Sequence, residues 1–276
     1  MANELRDEKL LIEVWTDFCV LNYHLWLDAT FQRPGQEAQM HRAQSHEYGA
    51  RVLQVAAEHG AWEYLRRVYV TDGTILLSEG QLAEAEEMFL KATTLAEEHQ
   101  LAKKSLNSLG ELRRLQGQYD QALKYYNAYL DWALKTGASA HELTAYHNIG
   151  MTYLAKEDFE AARDYFDKAL ELNRPLRDRF IGPVSLAMKG YTFELQGALP
   201  KAHELYRQSL AVAQADTDEN RLYGTLGRML STYEPQPAAY FLSKYLAQLP
   251  EDAVGIRQML TKCSLKPSVA AAARVA

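Results

Sequence analysis

The chain has 276 residues, 47% of them hydrophobic and 24% charged, with a formal net charge of −6; it is long enough to bury a substantial core and has an ordinary composition for a soluble folded chain. An acidic balance disfavours a general nucleic-acid binder, because phosphate binding needs a clustered positive surface. Two cysteines near opposite ends, Cys19 and Cys263, argue against a disulfide framework and fit a reducing, cytoplasmic setting, while the charged amino terminus argues against a secretory leader and the short, interrupted apolar stretch Phe18 to Leu27 against membrane insertion.

Taken in chain order, two helical stretches come first, Leu5 to Ala29 and Gln36 to His59, separated by Arg33-Pro34-Gly35. Residues 1–60 read as a divergent first hairpin, whose task is to cover the apolar end of whatever follows. Four segments then fall into register on Gly73, Gly110, Gly150 and Gly190, at spacings of 37, 40 and 40 residues. Seven residues after each glycine comes an interruption: Gly80-Gln81, Gly117-Gln118, Glu157-Asp158 and Gly197-Ala198. Twelve after comes alanine (Ala85, Ala122, Ala162, Ala202), and sixteen after an aromatic (Phe89, Tyr126, Phe166, Tyr206).

Within each segment apolar residues recur three and four apart, as in Leu106, Leu109, Leu112 and Leu115, which is the period of an amphipathic helix. Small residues at facing positions let two antiparallel helices approach, and the aromatic fills the space between hairpins. Period-two alternation is not sustained anywhere, so essentially no sheet is expected. Residues 61–214 hold the four clear units. Residues 215–263 read as a degenerate fifth unit on Gly227, with Tyr223, Leu226 and Leu230, a second helix from Ala239 to Leu249, and a capping helix from Glu251 to Cys263. Pro235 and Pro237 sit at the intervening turn, and residues 264–276 read as a flexible tail. No linker divides the chain, so residues 1–263 are expected to form one solenoid.

The columns resemble the tetratricopeptide repeat. The third unit carries the match best, with Tyr146, Ile149, Gly150, Tyr153, Phe159, Ala162, Phe166 and Ala169; the second carries Leu106, Leu109, Gly110, Gly117, Tyr119, Ala122 and Tyr126. Asp72 and Lys189 depart from it, standing where the family has leucine. The period near 40 resembles the long form seen in kinesin light chain and LGN-type adaptors and in bacterial peptide-sensing regulators. The resemblance implies an all-α, right-handed superhelical solenoid of antiparallel hairpins that binds a protein or peptide in its concave groove, as an adaptor or scaffold. It also implies that the first helix of each unit lines that groove. Carried over by position, the partner-binding residues are Arg67, Lys104, Asn107, Glu111, Arg114, His147, Asn148, Met151, Met188 and Tyr191. The basic and amide members favour an acidic or carboxylate-bearing ligand, and Val184, Ala187, Met188 and Tyr191 an apolar end of the same ligand.

Residues that suggest chemistry have a structural reading. His41 and His46 are five apart, on different helix faces rather than at ligand spacing, and His59 and His99 recur at helix C-termini, where a cation suits the dipole. Tyr119, Tyr126, Tyr153 and Tyr206 occupy packing columns rather than base-stacking platforms. With no phosphate loop, nucleophile elbow or metal motif, neither enzyme activity nor a cofactor is expected. Two alternatives accompany the adaptor reading: a peptide-responsive regulatory sensor, and a self-associating structural protein in which Trp15, Phe18, Leu25 and Trp26 of the first hairpin pair two chains as a homodimer.

Overall fold

Helices follow wherever the three-and-four spacing runs, and several of them stop beside a residue with left-handed φ, most often glycine. The computed structural model describes residues 2–32, 36–178, 181–212, 226–227 and 235–246. Among these, eleven helices occur and no strand: α1 (Ala2–Gln32), α2 (Gln36–Val55), α3 (Trp62–Ser78), α4 (Leu82–Glu98), α5 (Ser105–Leu115), α6 (Tyr119–Thr136), α7 (Ser139–Ala155), α8 (Phe159–Leu176), α9 (Ile181–Leu195), α10 (Leu199–Val212) and α11 (Pro235–Leu246). The fold is all-α and tetratricopeptide-like, built of sequential antiparallel helix pairs. The chain separates into two compact units, Met1–Leu112 and Arg113–Ala276, with the boundary inside α5, where the sequence reads as one uninterrupted run.

In the first unit α1 pairs with α2 and α3 with α4, and the first pair also rests on α3. The core is Ile12, Cys19, Val52, Ala56, Ala61, Leu65 and Val68, with Trp26, Ala38 and Ile75 in a smaller cluster. The divergent first hairpin is present, although α2 ends at Val55 and its last expected residues form turns around Gly60. In the second unit α7 pairs with α8 and α9 with α10, and α6 and α9 pack on α7 and α8 respectively. Its core runs from Met151 and Leu154 through Phe166, Met188 and Tyr206 to Phe241 and Leu242.

The glycine and aromatic columns are two halves of one contact. A Cβ added at Gly73 would stand 2.6 Å from the Phe89 ring, one at Gly150 2.8 Å from Phe166, and one at Gly190 2.7 Å from Tyr206. All three rings are fully buried. The first helix therefore gives up its side chain where the second inserts its ring, which is how the pair packs at interior density. Gly227 repeats the arrangement with an aliphatic partner, its added Cβ falling 2.6 Å from Leu242, so the fifth unit keeps the packing after losing the aromatic. Its second helix starts at Pro235, earlier than Ala239, and the two prolines sit in a first turn, where a missing N–H costs no helical bond. Tyr223, Leu230, Leu249, the segment 251–263 and the tail 264–276 lie outside the described residues.

The four interruptions share one backbone conformation. Gly80, Gly117 and Gly197 have φ of 79°, 72° and 79°, and the corresponding Glu157 has 62°. A left-handed φ is free for glycine and strained for a side-chain residue. Glu157→Gly is therefore expected to stabilise the second unit by about 0.5–1 kcal/mol, visible as a rise in urea midpoint; no change, or a fall, would mean that the Glu157 side chain compensates its backbone.

Candidate partner-binding face

The face in question is the exposed side of each first helix. In the first unit it belongs to α3 and the start of α5. Arg67 is partly exposed, and its guanidinium Nη2 donates to Asp17 Oδ1 at 2.8 Å. Thr71, Thr74 and Ser78 donate their hydroxyls to the carbonyls of Arg67, Val70 and Thr74 at 3.0, 2.7 and 2.9 Å, so those hydroxyls serve their own helix first. Lys104 is exposed immediately ahead of α5, and Asn107 and Glu111 are half-buried one and two turns along it, both engaged with neighbouring groups.

In the second unit the same positions have a different fate. Arg114 and Asn148 are half-buried and engaged. His147 is buried, its ring 5.9 Å from that of Phe166, and its Nδ1 lies 2.9 Å from Ser185 Oγ. That hydroxyl already donates to the Ile181 carbonyl at 2.8 Å, so the imidazole N–H is the donor to Ser185 and the pair ties α7 to α9. Met151 and Met188 are 3% and 0% exposed and belong to the core. Tyr191 is half-buried against Tyr240 and Phe241, at ring separations of 5.1 and 5.6 Å. Burial first, then Tyr240 and Glu194, push its hydroxyl up to about 12.

His147, Met151 and Met188 are thus corrected from partner contacts to interior packing. The reason is visible in their helices: Ile181–Leu195 is apolar on nearly every side, and a helix apolar all round is covered on all sides. Val184 and Ala187, expected to receive a ligand's apolar end, are buried with them. Arg67, Lys104, Asn107 and Glu111 remain at the surface of the first unit, and Arg114, Asn148 and Tyr191 at that of the second.

Several functional-looking groups escape a reading of the sequence because their partners are remote along the chain. Asp17 meets Arg67 from 50 residues away. Glu194 accepts from Tyr206 Oη at 2.6 Å, from Tyr240 Oη at 2.9 Å and from the Lys244 ammonium. Asp72 stands in α3 with its carboxyl raised to about 6 by burial, an effect that His46 partly opposes. Two surface hollows are lined by other residues than the ten candidates. One of about 420 Å³ is lined by Leu65, Tyr69, Leu90 and Leu95 with the Glu87–Lys91 pair, and one of about 290 Å³ is bordered by the Lys156–Asp120 ion pair. The histidines have structural partners: His41 bonds Asn22 at 3.0 Å, His59 bridges the Val55 carbonyl and Glu8, and His99 stacks on Trp62 with ring centroids 4.3 Å apart. Among the described residues no group of three or more His, Cys, Asp or Glu side chains could hold a metal ion, and no helix is long and apolar enough to cross a membrane.

The pattern of the tetratricopeptide repeat matches residues 64–135, 100–175 and 141–215, more than half of the chain. The chain belongs to the tetratricopeptide repeat family. Among curated proteins this member is similar to the BBSome complex member BBS4 of Bos taurus, with 27% identity over 181 residues, covering 66% of this chain and 31% of that protein. It is likewise similar to BBS4 of Mus musculus, with 28% identity over 174 residues, covering 63% of this chain and 29% of that protein. The chain spans about a third of the length of these relatives. Its fold is shared with BtubC from P. vanneervenii, at a TM-score of 0.54 and 17% identity over 75% of this chain and 87% of that one. Pseudomonas aeruginosa PilF aligns at 0.53 and 16% over 90% of this chain and 99% of that one.

Proposed function

We propose that this tetratricopeptide repeat protein is an adaptor or scaffold in which the exposed side of the first helices within a unit holds an acidic or carboxylate-bearing segment of a partner protein. The observation that carries the reading is the survival of Arg67 and Lys104 at the surface of the first unit, and of Arg114 at that of the second, in a chain whose net charge is −6. Cations on an exposed helix face attract a carboxylate-bearing segment and fix its register, contributing more to association rate and specificity than to raw affinity. Asn107 and Asn148 can exchange hydrogen bonds with a peptide backbone whatever its sequence. Similarity to BBS4, a member of a multi-protein complex, supports the same class of role. An apolar end of the ligand would have no surface to meet at Met151 and Met188, so the proposal is confined to the polar residues.

The test is a lysate pull-down with the wild-type chain beside Lys104→Glu in the first unit and Arg114→Glu in the second, with bound proteins identified by mass spectrometry. A partner retained by wild type and weakened about tenfold or more by either charge reversal is the expected result. Equal recovery on all three chains would remove this face from the function.

A further inference from the structure

Helix α1 has two apolar faces and only one of them is covered. Its inner face carries Ile12, Thr16, Cys19, Asn22 and Trp26, all buried. A second set faces water: Leu10 at 58% exposure and Leu21 at 50%, with Leu11, Val14, Phe18 and Leu25 also exposed. At 100° per residue these six fall within an arc of about 100°, which is a stripe rather than a scatter. From Leu11 the spacing is three, four, three, four (Leu11, Val14, Phe18, Leu21, Leu25), the seam along which one helix packs its knobs into the holes of another. Trp26 and Trp15, candidates for such a surface on sequence grounds, are buried and half-buried instead.

We propose that this seam is a twofold interface, with α1 of a second copy of the chain packed antiparallel along it. Three features select a copy of the chain as the occupant. The inner four seam residues, Val14, Phe18, Leu21 and Leu25, read the same from either end at spacings of four, three and four, so a reversed copy centred between Cys19 and Val20 sets Phe18 against Leu21 of the other copy and Val14 against Leu25. That register also brings Asp17 opposite His24 of the other copy, and the reciprocal pair with it, because both flank the seam on the same side; an imidazole N–H donating to a carboxylate suits both. The size fits as well. The stripe is about 22 Å long and exposes apolar surface on the order of several hundred Å² per copy, the size of patch that is often functional. Two such stripes with their flanks reach the low end of the area that a specific dimer buries. Arg67, already bonded to Asp17, would then stand at the rim of the interface.

The experiment is light scattering on the full chain at about 50 µM, above the micromolar dissociation constants of the weaker interfaces of this size. Phe18→Glu and Leu21→Glu are run alongside, with circular dichroism on each. Wild type is expected at twice the 31.3 kDa chain mass and both variants at a twofold lower mass with unchanged helicity. Phe18 stacks on Tyr48 at 5.1 Å, so if its replacement loosens the hairpin, Leu21→Glu, at the centre of the seam, carries the readout. Wild type at the mass of one chain overturns the proposal. So does a dimer that persists in the glutamate variants, because it would have to form through another surface.

Discussion

Glu194→Ala is expected to destabilise the second unit by about 3–5 kcal/mol, the range for removing one member of a buried charged network. The Glu194 side chain is 2% exposed and paired with the Lys244 ammonium, and it also accepts from Tyr206 and Tyr240. Tyr206 is fully buried, so alanine would take away the carboxylate that its hydroxyl addresses and leave space where the acid stood. Burial pushes the Glu194 carboxyl up, yet the hydrogen bonds from Lys244, Tyr206 and Tyr240 together hold it below the usual carboxylate value. A depressed carboxyl contributes stability that is present above the unfolded-state value and is lost as the pH falls through the folded one. Helix α11 should therefore loosen on acidification, together with its packing on Tyr191. Urea unfolding at neutral pH, followed by the Tyr environment in near-ultraviolet circular dichroism, measures the effect; a loss below about 1 kcal/mol would show that the network is incidental to the fold.

Asp72 works in the opposite sense. Its carboxyl is raised from 3.8 to about 6, with burial the cause and His46 opposing. The folded chain then binds that proton more tightly than the unfolded chain. The contribution of this carboxyl to stability is highest below about pH 4, falls as the pH rises toward 6, and above that carries the full cost of a buried charge. That cost is on the order of 3 kcal/mol at most, less whatever water reaches the carboxylate. Asp72→Asn removes the titration and should stabilise the first unit by about 2 kcal/mol at pH 7.5 while changing little at pH 4. Melting curves at both pH values decide it: an equal gain at both, or none at pH 7.5, would mean that the carboxyl is not the burdened group. A hydrogen-bonded thiol lies in the same neighbourhood. Cys19, itself pushed up to about 11 chiefly by burial, is bonded to Ser45. A side chain grown from Gly49 would meet Val68, Cys19 and Asp72 together. Leucine at position 72, as the repeat resemblance would have it, would suit this packing better.

The positions of the candidate face were legible in the sequence because they are counted from a glycine, and their availability was not. Arg67, Lys104 and Val184 each stand six residues before the glycine of their repeat, yet the first two reach water and the third does not. Counting along a helix says which side a residue is on. It does not say whether another helix lies on that side. Three of the ten candidates, His147, Met151 and Met188, fell to that difference, and all three lie in the unit where α7 and α9 are apolar around most of their circumference. The remaining polar candidates kept some surface because desolvating a charged or amide side chain is costly unless it is paired.

The sequence by itself determined the hairpins. Helix period, turn glycines and the glycine–aromatic columns are local or repeat over fixed distances, so a single chain read once contains them; Gly150 facing Phe166 follows from a spacing of sixteen residues. The same logic reached the fifth repeat through Gly227, although the side chain that an added Cβ there would meet is Leu242, one residue short of the aromatic column. Tertiary structure alone decided what joins residues of unrelated position. It set Asp17 on Arg67, Lys244 on Glu194 and Ser185 on His147, and it left the second apolar face of α1 bare. Such pairings depend on how consecutive hairpins rotate against one another, and that rotation is the summed effect of many side-chain contacts that no periodicity records.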